Sequence, residues 1–132
     1  MLNLSQKELR EKCHTRLQDE LSKAQSDPTG RKIGDAGAKM DAGKDDYLTA
    51  LQQFPKAIAM ISEVCTFGAE IKQYGWNAWR EVPDAQKRYT KAELRHMMQD
   101  GADDESGMTH YAHRAWCALA ALELDLAEDE NG

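Results

Sequence analysis

The chain has 132 residues, a formal net charge of −6 and three cysteines. Its length predicts a single domain, residues 1–132, and its acidity argues against nucleic-acid binding. The cysteines are far apart, with no CxxC pair, which argues against a disulfide framework or a structural zinc site, so we expect each to be a small buried residue. The sequence contains no recognisable signal peptide and no apolar run long enough to span a bilayer. We therefore expect a cytoplasmic protein.

Alternating runs of Val, Ile and Thr, which are typical of strands, are almost absent from the sequence, so the predicted fold class is all-α.

An N-terminal helix is predicted over residues 5–24, because Ser5 and Glu8 have the spacing of a capping box. Its apolar residues form one narrow stripe, which suits docking on the body of the protein or on another subunit. The stripe consists of Leu9, Cys13, Leu17 and Leu21.

Residues 25–44 contain several glycines and show no hydrophobic periodicity. We interpret them as a Gly-rich basic loop before a helical core over residues 45–126. The basic side chains of the loop, Lys44 among them, are either solvated charges or part of a loop that closes over phosphates.

The next helix is predicted to begin at Pro55 and to end at Gly75. Glu63 and Glu70 lie on one face of this helix. Two carboxylates on one side of a helix can hold a hard cation, and they can equally form a solvated face.

A short connection follows and contains Trp76, Asn77, Trp79 and Arg80. Tryptophan is more often a core anchor, but a nucleobase can stack on its ring and an asparagine can hydrogen-bond the base edge. Both interpretations stay open at this point.

A capping box formed by Thr90 and Glu93 predicts a short helix from about Lys91 to Gln99, which carries His96.

The last predicted helix runs from about Thr109 to Leu126, and the acidic tail over residues 128–132 is expected to fray. Between residues 115 and 122 this helix is apolar on every side, which predicts that it is buried in the middle of the molecule. His110 and His113 lie on one face of its first turn. The acidic turn just before it includes Asp104 and Glu105. Together these groups form either a metal or phosphate site, or a helix cap followed by two surface histidines.

From residue 41 onward the chain contains the blocks DAGK, EVCTFGAEIKQYG, WR, RH, DDESGMTHYAHRAW and ALAALE. These blocks, between residues 39 and 123, resemble the phage dATP/dGTP diphosphohydrolases of the MazZ type, which are related to the MazG nucleotide pyrophosphohydrolases. The resemblance implies an oligomeric all-α helical bundle of the MazG-like type, a homodimer or homotetramer. It implies hydrolysis of dGTP, with dATP and GTP as further candidates, to the monophosphate and pyrophosphate. It also implies a role in a phage purine pathway that supports 2-aminoadenine DNA.

The related MazG enzymes bind metal through a helical EExxE motif and a later ExxD motif, and neither is present here. Glu63 stands where the first helix should present a ligand, while Met60 stands where a carboxylate is expected. His110 and His113 have the separation of the ExxD pair and a comparable place in the chain. We hypothesise that they replace it, which would favour Mn²⁺ or other transition ions over Mg²⁺.

Cleavage of a phosphoanhydride requires charge neutralisation and an aligned water molecule, both of which divalent ions can supply. The expected ligands of two or more Mg²⁺ or Mn²⁺ ions are Glu63, Asp104, Glu105, His110 and His113. The expected catalytic residues are Glu63, Glu70 and His113, with one of the two glutamates orienting the water. The expected substrate-binding residues are Lys44, Lys72, Asn77, Trp79, Arg80 and His96.

Two alternatives remain. The two histidines and a carboxylate can hold a single zinc ion in a different class of hydrolase. An acidic helical bundle can also be a non-enzymatic scaffold or inhibitor that docks through its N-terminal helix.

Overall fold

The computed structural model describes residues 4–22 and 26–131, except the side chains of residues 20–22 and 129–131. Within these ranges it contains no strand, only one isolated bridge between Ala102 and Thr109, and no helix in them is long and apolar enough to cross a membrane. The all-α prediction is confirmed. The helices are α1 (Gln6–Ser22), α2 (Tyr47–Gln52), α3 (Pro55–Thr66), a π-helical turn (Phe67–Ile71), a 3-10 turn (Ala78–Glu81), α4 (Ala85–Met97) and α5 (His110–Asn131).

The chain divides into two compact units, Met1–Leu48 and Thr49–Gly132, and the single domain expected from length stays a prediction.

In the first unit, the capping box of α1 is confirmed. The Ser5 backbone N–H donates to Glu8 Oε2 at 2.7 Å, and the Glu8 N–H donates to Ser5 Oγ at 3.1 Å. The apolar stripe of this helix is partly solvent-exposed: Leu9, Cys13 and Leu17 are exposed, and the Leu21 side chain lies outside the described residues.

The Gly-rich segment after α1 folds around one buried carboxylate. Asp27 Oδ1 accepts the Thr29 backbone N–H at 2.6 Å, and Asp27 Oδ2 accepts the Lys39 N–H at 2.8 Å. The Ala42 N–H donates to the Ser26 carbonyl at 3.1 Å and closes the base of the loop. Asp27 is 5% exposed, so its acceptor atoms are matched to donors as a buried polar group requires.

Helix α5 is central to the second unit, because both α4 and α3 pack against it. Mostly small side chains are buried in this unit, which allows helix backbones to approach closely. Ala112 and Ala120 lie about two turns apart on one face of α5. The buried apolar residues are Val64, Ala85, Ala112, Cys117 and Ala120.

Burial of α5 on every side was predicted, and this is wrong for the single chain. Leu119 and Leu122 are 48% and 54% exposed, because α3 and α4 cover only part of the helix surface. Helix α5 extends past the predicted end at Leu126 to Asn131, and the fraying expected for residues 128–132 stays a prediction.

Helix α4 begins at Ala85, between one and two turns earlier than the predicted start near Lys91. Thr90 is therefore an interior residue, and its Oγ1 donates to the Gln86 carbonyl at 2.9 Å instead of capping the helix. Asp84, with φ at +53°, immediately precedes the true start. The short helix α2 was not predicted.

The three cysteines differ in environment: Cys13 is exposed, contrary to expectation, and Cys117 is 6% exposed. Burial raises the pKa of the Cys117 thiol to about 11. Since the thiolate is the nucleophile, we expect iodoacetamide at pH 8 to alkylate Cys13 at least about tenfold faster than Cys117 in the native protein. Peptide mass spectrometry of timed samples measures both rates. The difference should vanish in denaturant, and equal native rates would contradict the buried placement of Cys117.

Candidate active site

A cavity of about 560 Å³ lies within the second unit, bordered by α3, the π-helical turn, the 3-10 turn, α4, α5 and the loop between α4 and α5. Its size is typical of small-molecule sites. Its wall combines an apolar part, rich in aromatic rings, with a polar part. The chargeable and imidazole side chains of the polar part are Lys72, His96, Asp103, Glu105 and His113.

The loop between α4 and α5, residues 98–109, is held by the Asp103 side chain. Asp103 Oδ1 accepts the backbone N–H groups of Glu105 at 3.1 Å and Ser106 at 2.9 Å. The Asp103 N–H donates to the Met108 carbonyl at 2.8 Å, and Gly107 supplies the positive φ that the tight turn requires. The hydrogen bond from the Ser106 N–H is the main cause that lowers the pKa of the Asp103 carboxyl. The carboxylate is thus fixed and ionised.

Three histidines meet where the end of α4 faces the start of α5. His96 Nδ1 lies 2.8 Å from His110 Nδ1, and the His96 ring stacks on the His113 ring at 4.9 Å with an angle of 14° between their planes. His110 is 6% exposed. His96, Asp103 and His110 each present one ligand atom, and these atoms lie within 4.8 Å of one another. Two imidazole nitrogens and a carboxylate form a suitable ligand set for a divalent transition ion.

The charge state of His96 and His113 favours binding of a divalent metal ion. Burial lowers the pKa of His96, and the neighbouring His113 and His110 lower it further. Burial also lowers the pKa of His113. A neutral imidazole has a lone pair to offer, and a metal ion requires that form.

Ser106 fixes the orientation of His113. Ser106 Oγ lies 2.6 Å from His113 Nε2 and accepts the Met108 backbone N–H at 3.1 Å. Because the serine oxygen already accepts one hydrogen bond, its own proton suits donation to the neutral His113 ring.

The π-helical turn at the end of α3 sets the position of Lys72. The Lys72 N–H donates to the Phe67 carbonyl at 2.9 Å, five residues earlier. One extra residue in a turn rotates the next side chains about the helix axis by about 100°. Lys72 Nζ lies 2.9 Å from Glu105 Oε1 and 5.3 Å from the centre of the Tyr74 ring. The hydrogen bond to Glu105 raises the pKa of Lys72.

Trp79 is packed into an aromatic wall of the cavity. Its ring meets Tyr89 at 6.1 Å and Trp116 at 5.7 Å, both edge to face, and its carbonyl accepts the Tyr89 hydroxyl at 2.9 Å. The Arg80 guanidinium lies 4.3 Å from the Trp79 ring centre, and Arg80 Nη1 lies 3.8 Å from a carboxylate oxygen of Glu123.

The structure brings together many of the residues expected from the sequence and leaves others apart from the cavity. Those in the cavity wall or the histidine cluster are Lys72, Trp79, His96, Glu105, His110 and His113. Those that are exposed and do not line the cavity are Glu63, Glu70, Asn77, Arg80 and Asp104. Lys44 is exposed and belongs to the first unit. The roles expected for all these residues stay predictions.

Asp103 and Ser106 belong to the acidic turn before α5 but are not among the site residues predicted from the sequence. A signal was present, because an aspartate two to three residues before backbone donors is typical of a turn closed by its own side chain. The contact between His96 and His110 cannot be predicted from their spacing in the sequence, because it depends on how α4 packs against α5.

The chain matches the family model described as dATP/dGTP diphosphohydrolase, N-terminal, over residues 34–131. No curated protein and no solved structure shows significant similarity to it. The matched range contains α2 to α5 and all the cavity-lining residues, and it confirms the resemblance noted in the sequence blocks. The chain therefore belongs to the dATP/dGTP diphosphohydrolase family and is a nucleotide pyrophosphohydrolase.

Proposed function

We propose that the chain cleaves the α–β phosphoanhydride of dGTP, or of a related purine triphosphate such as dATP or GTP, in a reaction that depends on divalent metal. The products are the monophosphate and pyrophosphate. The observation that carries this proposal is the cluster of His96, Asp103 and His110 beside a cavity of nucleotide size. The family supplies the substrate class.

The donor set fits a divalent ion, because its ligand atoms lie within 4.8 Å of one another and burial favours the neutral form of His96. When bound, such an ion neutralises phosphate charge and lowers the pKa of coordinated water. Imidazole ligands favour Mn²⁺ over Mg²⁺. We further propose that Glu105 contributes to holding a second ion.

Lys72 is the residue we propose for the β- and γ-phosphates. In the structure its ammonium is paired with Glu105 at 2.9 Å, so Glu105 holds it at the cavity wall. A triphosphate offers Lys72 more negative charge than one carboxylate does, so substrate can draw the ammonium away from Glu105. That exchange would free the Glu105 carboxylate.

His113 lines the cavity while stacked on His96 and bonded to Ser106. With the Ser106 hydroxyl as the donor to Nε2, which its bond from the Met108 N–H favours, the proton of a neutral His113 ring belongs on Nδ1. From there it can donate to a phosphate oxygen or to the attacking water. His113 also supports the His96 ring by stacking.

We also propose that the protein self-associates as a homodimer or homotetramer. Helix α4 exposes Leu94 and Met97, and helix α5 exposes Leu119 and Leu122, each about half exposed. Contact with a second copy would remove this apolar surface from water. On the family resemblance, we place the activity in the cytoplasm of a phage-infected cell and in purine metabolism.

Product analysis tests the function. The protein is incubated with dGTP and Mn²⁺, and nucleotides and phosphates are separated by ion-exchange chromatography. We expect one pyrophosphate for each dGMP, loss of turnover in a chelator, and recovery with excess Mn²⁺. Formation of dGDP and orthophosphate, or turnover unaffected by the chelator, would overturn the proposal.

A further inference from the structure

We infer that Trp76, and not Trp79, is the ring on which the nucleobase of the substrate stacks. The inference rests on the proposed function, since it assumes a nucleotide in the cavity.

The surroundings of Trp79 argue against a stacking role. Its ring already contacts Tyr89 and Trp116 and is covered by the Arg80 guanidinium at 4.3 Å. Its backbone carbonyl accepts the Tyr89 hydroxyl. A base that stacked on the face of the ring covered by Arg80 would have to displace that guanidinium.

Trp76 lines the same cavity and is 55% exposed. It lies between the π-helical turn and the 3-10 turn, in a segment tied back to the π-helical turn. The Gly75 N–H donates to the Ala69 carbonyl at 3.1 Å, and the Tyr74 N–H donates to the Gly68 carbonyl at 3.2 Å. A large apolar ring held at a cavity rim by fixed backbone is suited to contact a flat ligand.

The distribution of charge agrees with this assignment. Lys72 lies four residues before Trp76, with its ammonium near the Tyr74 ring and beside Glu105. The cavity therefore offers a cation for phosphates and an unfilled aromatic surface within one short segment. A nucleoside triphosphate has the matching chemistry, an anionic chain at one end and a π-face at the other.

Stacking accepts any base, because every base has a π-face. Trp76 should therefore supply affinity for the base and little discrimination among bases. Hydrogen-bonding groups elsewhere in the cavity would select the purine.

Trp76→Ala is compared with Trp76→Phe and with Tyr111→Ala, a control at a 77% exposed aromatic residue outside the cavity wall. We expect Trp76→Ala to raise KM for dGTP and for dATP alike by about 10- to 100-fold. Its kcat and the inhibition constant of pyrophosphate should stay within about threefold of the wild type, because the phosphate contacts are intact. The phenylalanine variant should recover most of the affinity, and the tyrosine control should match the wild type. An unchanged KM, or a parallel loss of pyrophosphate affinity, would overturn the inference.

Calorimetric binding of dGMP separates this inference from the proposed function. In one outcome, dGMP binds Trp76→Ala at least about tenfold more weakly than it binds the wild type, and neither protein hydrolyses dGTP. The stacking role then stands and the proposed reaction fails. If the wild type hydrolyses dGTP as proposed but dGMP binds the wild type and Trp76→Ala equally well, the stacking role alone fails.

Discussion

Replacing Asp103 with asparagine is expected to reduce Mn²⁺-dependent turnover of dGTP by at least about 100-fold while leaving the loop between α4 and α5 folded. Asparagine keeps a side-chain oxygen, so it can still accept the Glu105 and Ser106 N–H groups that Asp103 Oδ1 accepts. What it loses is the negative charge and the second oxygen, which the proposed metal centre with His96 and His110 would use. The substitution therefore separates the proposed ligand role of Asp103 from its observed role in the turn.

Steady-state kinetics and Mn²⁺ titration calorimetry measure the two effects, with thermal unfolding as the check on folding. The matched comparison is Asp104→Asn, which changes the adjacent exposed carboxylate outside the His96–Asp103–His110 cluster. From the structure we expect nearly full activity for this variant, whereas the sequence-based expectation that Asp104 is a ligand predicts a loss. Asp103→Ala should lose both the proposed metal ligand and the side-chain hydrogen bonds that close the turn. It should therefore unfold at a lower temperature than Asp103→Asn. If Asp103→Asn kept full activity and Asp104→Asn lost it, the cluster would not be the metal centre.

Replacing His113 with alanine is expected to lower kcat by about 100-fold and to leave α5 helical. The variant removes the imidazole that lines the cavity, stacks on His96 and bonds to Ser106. Alanine has a higher helix propensity than histidine, which offsets part of the lost contacts. Circular dichroism with kinetics on the same samples tests both halves of the prediction.

Ser106→Ala should have a smaller effect, about tenfold in kcat, because it loosens the His113 ring without removing it. The matched control is His14→Ala, at an exposed histidine of α1, which should match the wild type. If His113→Ala unfolded while the folded fraction kept normal turnover, the role of this histidine would be structural.

Periodicity and capping rules could predict most of the helices and several of the side chains that line the candidate site. Ser5 and Glu8 marked the start of α1, Pro55 marked that of α3, and His110 with His113 marked the first turn of α5. These signals are local, so a single sequence carries them. The capping box predicted at Thr90 is wrong, because a hydroxyl inside a helix can hydrogen-bond the carbonyl four residues earlier as readily as it can cap a helix terminus.

The choice between neighbouring residues could not be predicted in the same way. Asp103 and Asp104 are chemically alike, as are Trp76 and Trp79. The structure separates each pair by burial and hydrogen bonding: Asp103 turns into the loop while Asp104 is exposed, and Trp79 packs on Tyr89 while Trp76 is exposed. The Trp79 contacts depend on how the 3-10 turn packs on α4 and α5, which no local pattern encodes, whereas the Asp103 turn is local and leaves a signal in the sequence.

Anomalous diffraction from crystals of the protein grown with Mn²⁺ and a non-hydrolysable dGTP analogue tests the proposed metal centre most directly. We predict an anomalous peak bonded to His96 Nδ1, His110 Nδ1 and an Asp103 carboxylate oxygen, at the edge of the cavity that holds the nucleotide. An anomalous peak at Glu63 and Glu70, with none between His96, Asp103 and His110, would contradict the account.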